Sequence, residues 1–351
     1  MIATDAALAD WLPRLSASPW VALDTEADSL HSYPEKLCLV QISLPGEDRL
    51  VDTLAPFNLA PLWRALSGRE IILHAADYDL RLLSRGPGFV PHTVFDTMLA
   101  ARLLGLTEFG LTHLVTRFLH VTLEKGPQRA DWSRRPLTER MVTYARNDVR
   151  YLHPLAEELR AQLDAKGRLD WHAQMCRQAI QDATQPAPSR DEDAWRIKSA
   201  DLLHPRALAF LRELWHWRDR EAVRANRPPF FVLTHDTLFH LAVAAANGEA
   251  PDRFIPRRYS PRRRARLLDA LESARAIPET DWPAPRKHRG RRLTHGQKLQ
   301  LERLRHRRDR AATRLGIDPT LIASRLTLVA LAVDGDKASA DLLPWQRELL
   351  A

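Results

Sequence analysis

The 351-residue chain reads as an α/β domain, a mixed sheet flanked by helices, followed by two small all-helical bundles. Three features predict this. Short apolar runs bounded by turn residues alternate with helical periods over the first 100 residues. Helical periodicity runs almost unbroken from Leu111 onward, and a stretch containing Pro186, Pro188 and Ser189 divides the chain like a linker.

The elements follow in order. Trp20–Glu26, Lys36–Leu44 and Asp48–Asp52 read as strands set off by Pro34 and Pro45-Gly46. Leu59–Leu66 is helical by period, Ile71–His74 a short buried strand, Tyr78–Leu83 a helix and Val94–Asp96 another strand. Three early strands with short turns, then strand–helix alternation, give a mixed sheet with helices on it. From Leu111 to Cys176 the period is helical except over Glu124–Arg135. Beyond the linker, Arg206–Arg224, Asp236–Asn247 and Pro261–Ala276 form one helical set. After Pro278, Pro283 and Pro285 come Thr294–Leu315, Pro319–Asp334 and Pro344–Leu350. The expected domains are 1–175, a linker over 176–200, then 201–282 and 283–351.

Composition narrows the function. The two cysteines, Cys38 and Cys176, lie far apart, which argues against a disulfide framework and against a cysteine zinc site. The start of the chain lacks a basic segment followed by an apolar one, and no apolar run approaches ~18 residues, so a cytoplasmic protein is expected with no membrane partner. The net charge of +8 is unevenly spread. Residues 253–314 hold 20 Lys and Arg against 6 Asp and Glu, a net of +14, which leaves the remainder acidic. Such polarity suggests one half that grips a polyanion and another that does something else.

Chemistry concentrates in the first half. Asp24 and Glu26 are two apart on a strand, so both side chains leave one face. Two such carboxylates repel unless a cation lies between them, and hard cations such as Mg²⁺ take oxygen ligands. A lone D-x-E is more often a solvent-facing acidic turn, but other acids join it. Asp79 opens the helix after the buried strand, and Tyr144 and Asp148 are stacked at i and i+4 on a later helix. Asp77 reads as an ordinary first-turn acid and His74 as a hydrogen-bonded core-edge histidine. Four carboxylates and a phenol fit a two-metal phosphodiester hydrolase, in which paired cations clamp the scissile phosphate. Lys125, Gln128, Arg134 and Arg135 border the last motif and are weaker candidates for holding substrate phosphates. No Walker loop, zinc-protease motif or nucleophile elbow is present.

The motifs Asp24-Thr25-Glu26, His74-x-x-x-x-Asp79-Leu80 and Tyr144-x-x-x-Asp148 resemble those of the DEDD exonucleases of the tyrosine subtype, the ribonuclease D family in particular. The stretches Leu39–Ser43, Phe95-Asp96-Thr97 and Asp131–Leu137 agree. The segment from Leu208 through Pro229-Phe230-Phe231 to the helix after Asp236 resembles the helicase-and-RNase-D C-terminal (HRDC) module, and Leu293–Leu350 looks like a diverged second copy of unsettled register. The resemblance implies a ribonuclease-H-like nuclease domain followed by two HRDC-like bundles, and a 3′→5′ exoribonuclease that uses two Mg²⁺ or Mn²⁺ ions. It implies that Asp24, Glu26 and Asp148 hold the ion that activates water, that Asp24 bridges to the second and that Asp79 binds that one. It implies that Tyr144 orients or helps deprotonate the water; a phenol titrating near ~10 is a poor base at neutral pH, which favours the orienting role. The implied partner is RNA with a free 3′ end, tRNA precursors above all, with no obligate protein partner evident. A DNA exonuclease and a non-catalytic RNA-binding protein are the alternative readings. A chain ending near Ser189 is expected to keep cleaving short RNA.

Overall fold

Helix α1 (Asp5–Ala17), capped by Thr4 and burying Leu8, Trp11 and Leu15, leads into β1 (Val21–Ala27), the middle strand of five. The computed structural model describes residues 1–124, 126–185, 193–285 and 293–351, with residue 336 described by its backbone alone. The remaining strands are β2 (Leu37–Leu44), β3 (Glu47–Asp52), β4 (Glu70–Leu73) and β5 (Thr93–Asp96), in the order β3-β2-β1-β4-β5. β1, β2 and β3 pair antiparallel, whereas β1–β4 and β4–β5 are parallel. This is the mixed sheet expected.

The point where pairing changes sense positions everything that follows. β1 pairs with β4 at Val21↔Ile71 and Ala22↔Ile72, but continues alongside β2 as far as Ala27↔Leu37, with an irregularity between Glu26 and Ala27. Its C-terminal half therefore outruns β4, at the crevice where open α/β sheets bind ligands. Bulges of this kind bend a strand and re-aim its side chains.

Helices α2 (Ala60–Leu66), α3 (Asp77–Arg85), α4 (Thr97–Leu103), α5 (Leu111–Leu119), α6 (Glu139–Arg150), α7 (Leu152–Ala165) and α8 (Leu169–Thr184) complete the sheet domain. α8 carries the helical region past the expected boundary at 175, and residues 186–192 of the expected linker lie outside the described residues.

The described residues divide into two compact units: 1–27, 37–185 and 293–351 in one, 28–36 and 193–285 in the other. In the second unit, α9 (Pro205–Ala225), α10 (Pro229–Val232), α11 (His235–Ala246) and α12 (Pro261–Arg275) enclose Phe210, Trp217, Leu238 and Leu267. Glu221, fully buried, accepts hydrogen bonds from Arg224, Arg263 and Arg266. Burial pushes its pKa up, but these arginines outweigh that and hold it at about 2. Tyr33 belongs to this unit: its hydroxyl donates to Asp219 and its N–H to Asn226 Oδ1 at 3.3 Å.

The last segment comprises α13 (His295–Leu315), α14 (Pro319–Ile322), α15 (Arg325–Ala340) and α16 (Pro344–Leu350), and the first three of these begin at a constant offset of 90 residues from α9–α11. Asn226 and Gly316 both end the long helix in the left-handed conformation. Pro229 and Pro319 both open a one-turn helix, and Thr234 and Ser324 both cap the next helix through Thr237 and Thr327. Arg218 donates to the Leu233 carbonyl and Arg308 to that of Ala323. This gives the second copy its register.

Unlike a free-standing bundle, the second copy shares a core with the sheet domain. Leu304, Ala312, Ile322, Leu328 and Trp345 join one apolar cluster with Leu103, Leu114, Leu155 and Leu159. Trp171 stacks on Trp345 with ring centroids 4.7 Å apart. Buried Arg168 donates to the carbonyls of Leu103 (2.5 Å) and Leu315 (2.7 Å). Gly105 has φ +86°, and a Cβ there would fall 1.9 Å from the Gly316 carbonyl oxygen, so only glycine allows this approach. Among the described residues, no helix is long and apolar enough to cross a membrane.

Candidate active site

Three segments converge at the open end of β1. Asp24 and Glu26 share one face of the strand, separated by buried Thr25. α6 starts at the Thr138 cap, whose hydroxyl accepts from the Met141 N–H at 3.2 Å. Burying Met141, Ala145 and Val149 fixes the rotation of α6, which carries Tyr144 and Asp148 one turn apart on an adjoining face. One carboxylate oxygen from each of Asp24, Glu26 and Asp148 lies within 4.8 Å of the other two.

Asp79 enters from the first turn of α3, and the Thr25 hydroxyl donates to its Oδ1 at 2.5 Å. It falls outside the group of three but close enough for its charge to act on Asp24, Glu26 and Asp148. Its placement depends on Asp96, the N-cap of α4. This buried carboxylate accepts from the N–H groups of Ala75 (3.1 Å) and Ala76 (2.9 Å), pinning a turn in which Ala75 has φ +58°.

The electrostatics are those of a cation site. Burial, then repulsion by Asp79, Asp148 and Glu26, raises the pKa of Asp24 well above the usual carboxylate range. Burial first and neighbouring charges second push Glu26 up to about 9. Asp148 is pushed up to about 7, chiefly by burial and partly offset by a hydrogen bond from Tyr144, and Asp79 to about 6 for the same leading reason. Without cations the cluster holds protons at neutral pH, and a divalent cation would displace them. The donor set is oxygen only, with no imidazole or thiolate, which suits Mg²⁺ or Mn²⁺.

Burial and the surrounding carboxylates raise the Tyr144 phenol, so it keeps its proton. Its hydroxyl hydrogen-bonds Asp148, which makes it a hydrogen-bonding positioner rather than a base. Tyr144→Phe keeps the ring packing and removes only that hydroxyl. Turnover should fall by roughly 10²-fold, the scale of general acid–base contributions, with KM little changed. Steady-state kinetics that match wild type would make Tyr144 a packing residue.

The weaker phosphate candidates separate. Gln128 is exposed, and Arg134 is exposed with an ion pair to Asp131 at 3.1 Å, while Lys125 lies outside the described residues. Arg135 departs from the expectation. Its guanidinium reaches both oxygens of Asp52 at 2.6 Å and the carbonyls of Cys38 (2.9 Å), Trp132 (2.7 Å) and Arg134 (2.8 Å). With its donors so committed, it clasps the loop before α6 to β2 and β3 instead of holding phosphate. His74 bonds the Thr97 hydroxyl at 2.9 Å, and Asp77 pairs with Arg81, as ordinary structural roles require.

Sequence reasoning missed Thr25, Asp96 and Gly126 as parts of this site. A Cβ on Gly126 would fall 1.6 Å from Cδ2 of Tyr144, so the loop backbone lies directly on the tyrosine ring. The motif positions of Thr25 and Asp96 were visible, but their partners are 54 and about 20 residues away, and no local pattern reports such contacts.

Comparison with known proteins agrees with this geometry. Residues 1–164 match the 3′-5′ exonuclease family model and residues 207–247 that of the HRDC domain. A ribonuclease D from Gluconacetobacter diazotrophicus is 32% identical, over 99% of this chain and 89% of its own length. One from Acidiphilium cryptum is 32% identical over 99% and 90%. Among solved structures, Escherichia coli RNase D, described as an exoribonuclease involved in structured RNA processing, has a TM-score of 0.77 at 29% identity, covering 99% of this chain and 95% of that one. A protein from Bifidobacterium adolescentis has a TM-score of 0.83 at 26% identity, covering 100% and 94%.

Proposed function

Because the chain belongs to the ribonuclease D family, we propose that it trims the 3′ ends of structured RNA in the cytoplasm, tRNA precursors among its substrates, and releases nucleoside 5′-monophosphates. Its activity as a 3′→5′ exoribonuclease follows from that membership. The observation that carries the reading is the oxygen-only trio Asp24, Glu26 and Asp148, with the Tyr144 hydroxyl bonded to Asp148. Asp24, Glu26 and Asp148 would hold one divalent cation, and Asp24 with Asp79 a second. Such ions supply Lewis acidity, which acidifies the attacking water and neutralises the scissile phosphate. Tyr144 keeps its proton and offers its hydroxyl to orient the water. Thr25 holds the Asp79 carboxylate, and the Asp96-pinned turn holds the start of α3.

The basic segment supplies substrate capture. Exposed arginines such as Arg262, Arg303 and Arg310 suit phosphate contacts, whereas Arg263 and Arg266 are engaged by Glu221. The test uses 5′-labelled RNA and DNA of one sequence and a tRNA-like RNA with the same 3′ tail. RNA should shorten from its 3′ end faster than DNA. Affinity for the folded RNA should fall with salt, with a log–log slope of about −0.9 per phosphate contact on duplex. Equal rates on RNA and DNA would favour a DNA exonuclease, and no shortening of either would favour a non-catalytic binder.

A further inference from the structure

Among the described residues, seven carry a buried side-chain polar atom with no hydrogen-bond partner, and Gln41 alone of them has two such atoms. Its side chain is fully buried, yet neither its amide oxygen nor its amide nitrogen has a hydrogen-bond partner. It sits in the middle of β2, directly across the antiparallel ladder from Asp24. Residues opposite each other in such a ladder project to the same side, with Cβ atoms about 4.5–5.5 Å apart. On that side Leu39 and Leu50 pack with Trp132, Met141 and Ala145, so α6 and the loop before it cover the amide. An unpaired buried amide costs about 1–3 kcal/mol, and a Leu or Met of similar size would fill the position without that cost.

The carboxylates next to it supply a reason. As a cation ligand Asp24 would be ionised, and the lone pairs it does not give to the cation would need donors from the protein. A carboxylate that ligates a metal normally receives hydrogen bonds from groups behind it, which fix its orientation and tune its basicity. The Gln41 amide is the donor that the ladder delivers to that side of Asp24.

We propose that Gln41 is a positioning residue for the metal-loaded site: its Nε2–H groups support the ionised Asp24 carboxylate, directly or through one buried water, while its Oε1 accepts from the same water. The proposal rests on the metal-dependent reading above, and it assigns Gln41 no contact with substrate or cation.

The test compares wild type with Gln41→Met by thermal melting in EDTA and across a titration of Mn²⁺ and of Mg²⁺, alongside steady-state kinetics on short RNA. The Met variant should melt in EDTA at or above the wild-type temperature, because it removes an unpaired buried amide. Its half-saturating metal concentration, read from the melting shift, should rise roughly 10–100-fold, the range found for such supporting groups. Its KM for RNA at saturating metal should stay within about twofold. An unchanged metal half-point would overturn the proposal. So would a Met variant that melts well below wild type in EDTA, because the amide would then be serving the metal-free fold. A wild-type protein with no melting shift in either metal would instead overturn the metal-dependent reading itself, which separates the two failures.

Discussion

Asp24→Asn should lower turnover by about 10³-fold or more, while the metal-free variant stays folded and melts higher than wild type near pH 8. Asp24 belongs to the carboxylate trio and would also reach toward a second cation beside Asp79. Losing several kcal/mol of transition-state charge stabilisation corresponds to that factor. The stability effect has the opposite sign. Asp24, Glu26, Asp79 and Asp148 all have folded-state pKa values above the ordinary carboxylate range. Between about pH 4 and pH 9 the unfolded chain has released protons that the folded chain still holds. Stability of the metal-free protein therefore falls as pH rises through that window. An amide at position 24 cannot ionise and removes repulsion from the others. Excess EDTA should silence the wild type as the substitution does. Substantial activity in either case, or a metal-free Asp24→Asn protein less stable than wild type at pH 8, would count against a cation site built on this residue.

Trp345→Ala should destabilise the unit that contains the active site, although Trp345 lies nearly 200 residues beyond Asp148. Its side chain is 1% exposed, stacks on Trp171 and closes a core in which Leu155 and Leu159 of the sheet domain meet Leu321 and Ile322 of the last segment. Truncating a buried tryptophan costs about 3–5 kcal/mol, which in a unit of this size lowers the melting temperature by on the order of 10 °C. The same argument corrects the expectation for a chain ending near Ser189. Such a chain lacks α13–α16 and exposes Leu103, Leu114 and the Arg168 clasp, so it should lose activity on short RNA as well as on folded RNA. A stable, active truncated chain would show that the shared core is dispensable.

The sheet and its acids were legible because they rest on local signals. Apolar runs between Pro34, Pro45-Gly46 and the charged turns announce the strands, and the spacings Asp24/Glu26 and Tyr144/Asp148 report which side chains share a face. What stayed hidden depends on distant partners. Nothing near Arg135 reveals Asp52, so a committed guanidinium reads like a free one. The repeat of α9–α11 in α13–α15 keeps 14 of the 42 residues of 205–246 at the offset of 90, among them Arg218/Arg308 and Asp219/Asp309, but its left-handed caps use Asn226 in one copy and Gly316 in the other. The net charge of residues 253–314 does not tell free arginines from engaged ones: on α13, Arg308 binds Ala323 and Asp309, and Leu304, Ala311 and Ala312 face the shared core. Gln41 lay in plain view within an apolar strand, but only the ladder brings it opposite Asp24.

The most direct test of the central claim uses one RNA sequence in linear and circular form, incubated with Mg²⁺ and the intact chain. A site that seats a free 3′ end beside Asp24, Glu26 and Asp148 should shorten the linear RNA stepwise from that end, release nucleoside 5′-monophosphates and leave the circle whole. Internal cuts in the circle, or products bearing 3′-phosphates, would contradict it.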